Sequence, residues 1–138
     1  MVDGAFAISH GTPIDEDAYI FGEIEALNVF RQTEFPVCFF GHSHFPVIFA
    51  LSPDSITTIL TGARNFRVKL REGVRYLINP GSIGQPRDGN PLASFAIYDT
   101  EARTVTIRRL PYRVQTTQER ILKAGLPRPL ADRLAVGR

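Results

Sequence analysis

Short apolar runs separated by polar turns open the chain. Residues 4–9 form an apolar run of strand length that leads directly into His10-Gly11-Thr12-Pro13, a group typical of a turn. Ile20, Ile24, Leu27 and Phe30 then recur at helical spacing with polar residues between them. The pattern predicts a helix from about residue 19 to residue 32, before the break at Pro36.

From Pro36 onward the pattern becomes that of β-strands. Predicted strands cover residues 37–40, 46–51, 56–61, 66–70, 74–78, 93–98 and 104–110. Glu72-Gly73 predicts a tight hairpin between two of these strands, and residues 99–103 predict a second hairpin. The fold class expected from this order is α+β, with strands mostly in hairpins.

The last part of the chain has helical features. Thr116 and Glu119 match the spacing of a capping box that opens a helix, and Gly125 is placed to end it. A second short helix is predicted within residues 127–136, with Leu130, Leu134 and Val136 on its apolar side. Together these segments predict one domain over residues 1–138, with sandwich strands and one helix in residues 1–112 and a helical tail in 113–138.

Composition narrows the class of protein. The chain has 138 residues, of which 43% are hydrophobic and 22% charged, and its net charge is only +2. These values are typical of a globular protein and do not indicate nucleic-acid binding through a basic patch. No apolar run has the length of a membrane span. The single cysteine, Cys38, lies in an apolar run, and we expect a core position in a protein of the reducing cytoplasm.

All three histidines of the chain lie where a predicted strand meets a loop. His42 and His44 follow the strand at 37–40, and alternate residues of an extended chain point to the same side. His10 follows the first strand in the same way. Imidazole is a common metal ligand, so this arrangement predicts a metal site, with a surface turn carrying unremarkable histidines as the alternative.

A long loop rich in glycine and proline covers residues 79–91. Such loops are usually functional in a compact domain, and their backbone N–H groups can bind anions. Arg87 offers a guanidinium for phosphate oxygens. The loop is not a P-loop, because no Gly-Lys-Ser/Thr follows.

The order of these motifs resembles one known family. His10-Gly-Thr-Pro, Gly41-His42-Ser43-His44 and the run from Asn79 to Arg87 are similar to motifs of the calcineurin-like metallophosphoesterases. The resemblance is greatest to the small bacterial and archaeal phosphodiesterase branch. It implies a four-layer α/β/β/α sandwich and a metal-dependent hydrolase of phosphate esters.

The resemblance also implies a site with two divalent ions, manganese, iron, nickel or zinc. His10 and His42 would bind one ion and His44 the other, and the ions would activate a hydroxide for attack on phosphorus. Asn79, Ser82 and Arg87 would support the site or position the phosphate-ester substrate. No residue is assigned as the catalytic acid or base.

The family's first motifs have no match in this chain. They supply a bridging aspartate, an asparagine ligand and a histidine proposed as the general acid. The chain therefore resembles the C-terminal half of a metallophosphoesterase domain. We expect it to be inactive alone and completed by an N-terminal half or by self-association along exposed strand edges.

Three functions remain open from the sequence. The chain is part of a phosphoesterase, as a fragment, a reading frame with an internal start or a subunit completed by another chain. Alternatively, it is a non-catalytic module that dimerises or binds metal or phosphate. In the third interpretation it is a structural domain with fortuitous histidines.

Overall fold

The computed structural model describes residues 6–62 and 64–138. Its strands are β1 (Ala7–Ile8), β2 (Val37–Phe39), β3 (Val47–Leu51), β4 (Ile56–Leu60), β5 (Asn65–Lys69), β6 (Arg75–Asn79), β7 (Ala93–Asp99) and β8 (Thr104–Leu110). Its helices are α1 (Glu23–Gln32), α2 (Val114–Lys123) and α3 (Arg128–Asp132), followed by a 3-10 turn at Arg133–Ala135. The α+β class predicted from the sequence is confirmed, and most predicted strands agree within two residues. The predicted first strand begins at residue 4, outside the described residues.

The larger sheet has five strands in the order β1-β2-β6-β3-β4. β1, β2 and β6 run parallel, whereas β3 is antiparallel to both of its neighbours. The connection from β1 to β2 passes through α1, as a parallel pair requires. The carboxyl ends of β1, β2 and β6 therefore meet at one edge of the sheet, where β3 begins.

This sheet is buried on both faces, because alternate side chains enter two separate apolar clusters. One cluster lies between the sheet and α1 and includes Ala26, Val29, Phe30, Cys38, Val47, Phe49 and Leu77. The other lies between the two sheets and includes Val37, Ile48, Ala50, Tyr76, Ile78, Val105 and Ile107. Helix α1 and the two sheets thus form three stacked layers.

The second sheet contains three antiparallel strands in the order β5-β8-β7. β7 and β8 form the predicted hairpin, with Ala93 opposite Leu110. The hairpin predicted across Glu72-Gly73 is wrong, since β5 pairs with β8 while β6 pairs with β2 and β3. β5 is exposed on one face and β6 is almost wholly buried, so the two strands suit different sheets. The chain crosses from one sheet to the other at this turn.

Helix α1 begins four residues later than predicted. Gly22 precedes it in an extended conformation, and the side chain of Glu25 accepts a hydrogen bond from the Gly22 N–H at 3.0 Å. Ile20 is buried but lies before the helix, whereas Ile24 is 82% exposed. The apolar face predicted from Ile20 and Ile24 is therefore wrong, because helical periodicity was extended into a segment that is not helical.

The tail also departs from the prediction. Helix α2 begins at Val114, so Thr116 lies inside the helix and does not cap it. Gly125 follows the helix with φ at +73°, a conformation that favours glycine, and its predicted role as a stop is confirmed. Of the predicted apolar residues in the last segment, Leu134 is buried while Leu130 and Val136 are exposed. Among the described residues, none of the helices has the length and apolar character that a membrane crossing requires.

A buried ion pair joins the second sheet to the long loop. Arg109 on β8 is fully buried, and its guanidinium donates hydrogen bonds to both carboxylate oxygens of Asp88. The carboxylate is itself only 7% exposed. A buried charge that loses its partner is strongly destabilising, so this pair fixes the loop to the sheet.

We predict that Asp88→Ala lowers the free energy of unfolding by about 3–5 kcal/mol, because it leaves the Arg109 charge buried without its partner. Urea unfolding followed by circular dichroism measures the change. Asp54→Ala, at an exposed acid in the turn before β4, is the matched control and changes stability by less than about 0.5 kcal/mol. A loss below about 1 kcal/mol for Asp88→Ala would show that the pair is solvated.

We also predict that Cys38 is unreactive in the folded protein. The side chain is 1% exposed, and burial raises the pKa of the thiol, an effect only partly opposed by the hydrogen bond with Ser9. Since the thiolate is the nucleophile, a raised pKa keeps the thiol protonated at pH values where a free cysteine ionises.

A disulfide reagent at about pH 8 tests this prediction. The folded chain should react at least about tenfold more slowly than the same chain unfolded in urea. Equal rates in the two states would mean that Cys38 is accessible.

Candidate functional site

Two of the predicted ligands come together where parallel strands end. His10 lies two residues after β1 and His42 three residues after β2, and the two strands pair in parallel. His42 Nδ1 is 2.9 Å from His10 Nε2, and the Gly41 N–H donates to the His10 carbonyl at 2.8 Å. The sheet thus places two imidazoles from separate loops in direct contact.

The loop carrying His42 and His44 has an unusual backbone. Both residues adopt the left-handed conformation, with φ at +63° and +59°. For residues with a side chain this conformation costs roughly 1–2 kcal/mol each, and it persists only where the surroundings impose it. Left-handed backbone at both histidines also replaces the extended arrangement that the sequence predicted, in which alternate residues share one face.

Asn79 provides much of that constraint. It is fully buried at the end of β6, and its amide donates to the Gly41 carbonyl and to Ser43 Oγ, each at 2.9 Å. Its carbonyl oxygen accepts from the Gly81 N–H at 2.9 Å. Asn79 therefore links the histidine loop to the glycine-rich loop from inside the protein.

His44 hydrogen-bonds the glycine-rich loop, whereas His10 and His42 contact each other. Its Nδ1 is 2.7 Å from the Gln85 carbonyl, which leaves Nε2 as the ring nitrogen for a ligand. Burial lowers the pKa of His44. The Gln85 carbonyl opposes this effect, and the positive charge of Arg87 adds to the lowering. The neutral imidazole, which is the form that binds metals, is therefore favoured.

The remaining two predicted residues shape the rim of the site. Ser82 Oγ accepts hydrogen bonds from the N–H groups of Gly84 and Gln85, which closes a turn. Arg87 is exposed, and its Nε and Nη2 donate to Gln85 Oε1 at 3.1 and 2.9 Å. A cationic group thus stands beside His44 on the loop that the Asp88–Arg109 pair anchors.

Tyr19 belongs to the site but was missed by the sequence. Its ring stacks on His42, with centroids 3.9 Å apart and planes inclined by 28°. Periodicity placed Tyr19 in a helix, whereas it lies in the loop before α1. Its position beside His42 depends on tertiary contacts that the helical spacing did not indicate.

The donor set fits a metal ion in part. Imidazole nitrogens bind zinc at about 2.0–2.1 Å, so two of them on one tetrahedral ion stand roughly 3.3–3.4 Å apart. The two ring nitrogens of His10 and His42 are 2.9 Å apart, the length of a hydrogen bond, so a shared ion would need them to separate by a few tenths of an ångström. Within residues 6–62 and 64–138, however, no group of three or more His, Cys, Asp or Glu side chains is arranged to hold an ion. The described residues therefore supply an incomplete ligand set.

Comparison with known proteins identifies the fold. No protein-family model matches the chain. A metallophosphoesterase structure from Sphaerobacter thermophilus superposes on the whole chain with a TM-score of 0.88 and 39% identity. The uncharacterized protein MJ0912 of Methanocaldococcus jannaschii is 41% identical over 100 residues, which is 72% of this chain. The hypothetical protein PH1004 of Pyrococcus horikoshii has the same fold, with a TM-score of 0.65, 20% identity and 95% of this chain covered.

The chain spans only part of each of these proteins. It covers 57% of the Sphaerobacter structure, 46% of PH1004 and 39% of MJ0912. Within that span the chain has the fold of the Sphaerobacter structure. Its histidine loops lie at the carboxyl ends of parallel strands. The chain belongs to the metallophosphoesterase superfamily.

Proposed function

We propose that this chain contributes half of the active site of a metal-dependent phosphoesterase that hydrolyses phosphodiesters, and that the chain is inactive without the other half. The observation that carries the proposal is the 2.9 Å approach of His10 and His42 at the parallel edge of the sheet. The similarity to a metallophosphoesterase over the whole chain supports it. His10 and His42 would hold one divalent ion, and His44 would hold a second through Nε2.

Manganese, iron, nickel or zinc at these positions would supply an activated hydroxide and polarise the phosphoryl oxygens. The chain's own residues fix the geometry. Asn79 holds the loop of His42 and His44, and the turn closed by Ser82 carries Gln85, whose carbonyl orients His44. Arg87 uses Nε and Nη2 on Gln85, and we assign its remaining Nη1 to a phosphoryl oxygen.

We propose that residues 1–138 form a single domain equivalent to the C-terminal half of the whole metallophosphoesterase domain. Residues 1–112 are its sandwich and 113–138 its helical tail. The open side of β1 supports a complementing half: Ile8 is 70% exposed, and a cavity of about 440 Å³ lies beside it between the sheets, lined in part by Phe6, Phe39 and Tyr98. An N-terminal half would extend the sheet at β1 and add the missing ligands. The single buried thiol of Cys38 suits a cytoplasmic location.

A non-catalytic module is the second candidate. The observation that favours it is the absence, among the described residues, of a third ligand near His10 and His42. In that case the same fold would bind metal or phosphate, or dimerise through the β1 edge, without hydrolysis.

We predict that the isolated chain binds one zinc ion through His10 and His42. Isothermal titration should show that His10→Asn and His42→Asn each weaken this binding at least about tenfold. The double variant should have a zinc affinity little lower than that of either single variant, because both residues bind the same ion. Asparagine is chosen because it tolerates the left-handed backbone at position 42.

His44→Asn is the matched control. His44 lies in the same loop as His42 and has the same left-handed backbone conformation, but it is assigned to the other ion. It should leave the affinity of the His10–His42 site within about twofold. Equal losses for all three variants would indicate a single shared ion, and no loss for any would favour a structural role for the histidines.

We predict that the isolated chain does not hydrolyse bis(4-nitrophenyl) phosphate with manganese. Activity should appear when the chain is combined with the part of the Sphaerobacter thermophilus metallophosphoesterase that it does not cover. It should then disappear in His44→Ala. Release of 4-nitrophenolate is the measurement, and the Sphaerobacter protein rebuilt from its own two parts is the control.

Robust turnover by the isolated chain that His44→Ala removes would show that its site is complete without another half. A combined protein that is folded and binds two ions but is inactive would favour the non-catalytic module.

A further inference from the structure

An apolar pocket lies on the β4 side of the sheet, lined in part by residues next in sequence to candidate ligands or stacked on Tyr19. Its volume is about 140 Å³, and its lining consists of Ile20, Phe21, Phe45, Val47, Thr58 and Leu60. Ile20 and Val47 are buried and form its floor, whereas Phe21, Phe45 and Leu60 are substantially exposed. Among the residues that the structure describes, no charged side chain lines it, so it suits an uncharged apolar group.

The strands explain why the pocket exists at this place. Val47 at the start of β3 pairs directly with Leu60 at the end of β4, so the two side chains lie on the same face. Thr58 lies on that face two residues away, and its hydroxyl donates to Glu23 Oε1 on α1 at 2.6 Å. This hydrogen bond ties the edge strand to the helix and holds one wall of the pocket.

Two residues that line the pocket are close to candidate metal ligands, one in sequence and the other through stacked rings. Phe45 follows His44 directly in the chain. Phe21 stacks on Tyr19 with centroids 5.1 Å apart and planes inclined by 7°, and Tyr19 stacks on His42. The two stacks place the ring centroid of Phe21 within about 9 Å of that of His42, with the Tyr19 ring stacked on both.

We propose that this pocket binds a flat aromatic group of the phosphoester, with Phe21, Phe45 and Leu60 as the residues that determine specificity. The inference rests on the proposed function, because it takes the phosphoryl group to lie at the histidines. The pocket has room for about one aromatic ring, and its phenylalanine rings favour stacking with a planar partner. The substrate class is thus a phosphate ester that carries an aryl or nucleobase-sized ring.

Nuclear magnetic resonance on the full chain with zinc tests this proposal, using phenyl phosphate and methyl phosphate as probes. The chain has only three histidines, so their ring signals report phosphoryl binding, while the Leu60 methyl signals report the pocket. Both probes should shift the histidine signals, and only phenyl phosphate should shift Leu60. Phenyl phosphate should also bind at least about tenfold more tightly than methyl phosphate.

Leu60→Ser and Phe21→Ser should each reduce this preference for phenyl phosphate by about threefold to tenfold. Both side chains are largely exposed, so the variants should remain folded. Ile24→Ser, at an equally exposed apolar residue on α1 outside the pocket, is the control and should leave the preference unchanged.

The outcomes separate the two proposals. Histidine shifts with both probes but no Leu60 shift would overturn the pocket inference and leave the phosphoester site intact. No histidine shift with either probe would overturn this inference, which needs the phosphoryl group at the histidines, whereas the proposed function is decided separately by the activity of the combined halves. Leu60 signals that depend on protein concentration but not on phenyl phosphate would assign the pocket to a second copy of the chain and overturn its role in substrate binding.

Discussion

The buried amide of Asn79 is the interaction on which the site depends. It closes three hydrogen bonds at the end of β6, two of them to the loop that carries His42 and His44. Each bond contributes about 1 kcal/mol net, and together they are comparable to the cost of holding two histidines in the left-handed conformation. Without a donor at this position, Gly41 and Ser43 would lose their buried partner and the loop would relax.

Asn79 can act in this way because the sheet is assembled around it. Parallel pairing of β1, β2 and β6 brings three carboxyl ends to the same edge, and antiparallel β3 begins there. The histidine loop is therefore held between a strand that ends and a strand that begins. The glycine-rich loop, fixed to the second sheet by the Asp88–Arg109 pair, covers it from the other side. Rigid elements on both sides allow short loops to present side chains in a defined geometry.

The two flanks of the site differ in character. On the β1 side the sheet ends at a strand with an exposed isoleucine and a wide cavity, and residues 6–62 and 64–138 supply an incomplete ligand set. On the β4 side lies a small apolar pocket, one wall of which is held by the hydrogen bond between Thr58 and Glu23. The first flank has the features of a surface that another segment of protein completes. The second has the dimensions of a pocket for part of a small molecule.

Several features could be predicted from the sequence because they depend on local pattern. Alternating and continuous apolar runs located most strands, and Gly125 ended α2 as expected from its conformational freedom. The hairpin across Glu72-Gly73 could not be judged in this way. A turn signal shows where the chain reverses, whereas the choice of sheet depends on which faces become buried. Likewise, the residues around Tyr19 have helical spacing, yet the capping interaction of Glu25 with Gly22 delays the helix.

The sequence by itself determined the α+β class, the order of the three histidine and loop motifs and, through them, the resemblance to metallophosphoesterases. Only the tertiary structure decided that His10 and His42 touch while His44 turns to Gln85, and that Tyr19 stacks on the pair. The physical reason is that motifs record which groups are present along the chain. The contacts between those groups depend on which strands pair and on the left-handed backbone of the histidine loop. Both are set by residues far away in the sequence.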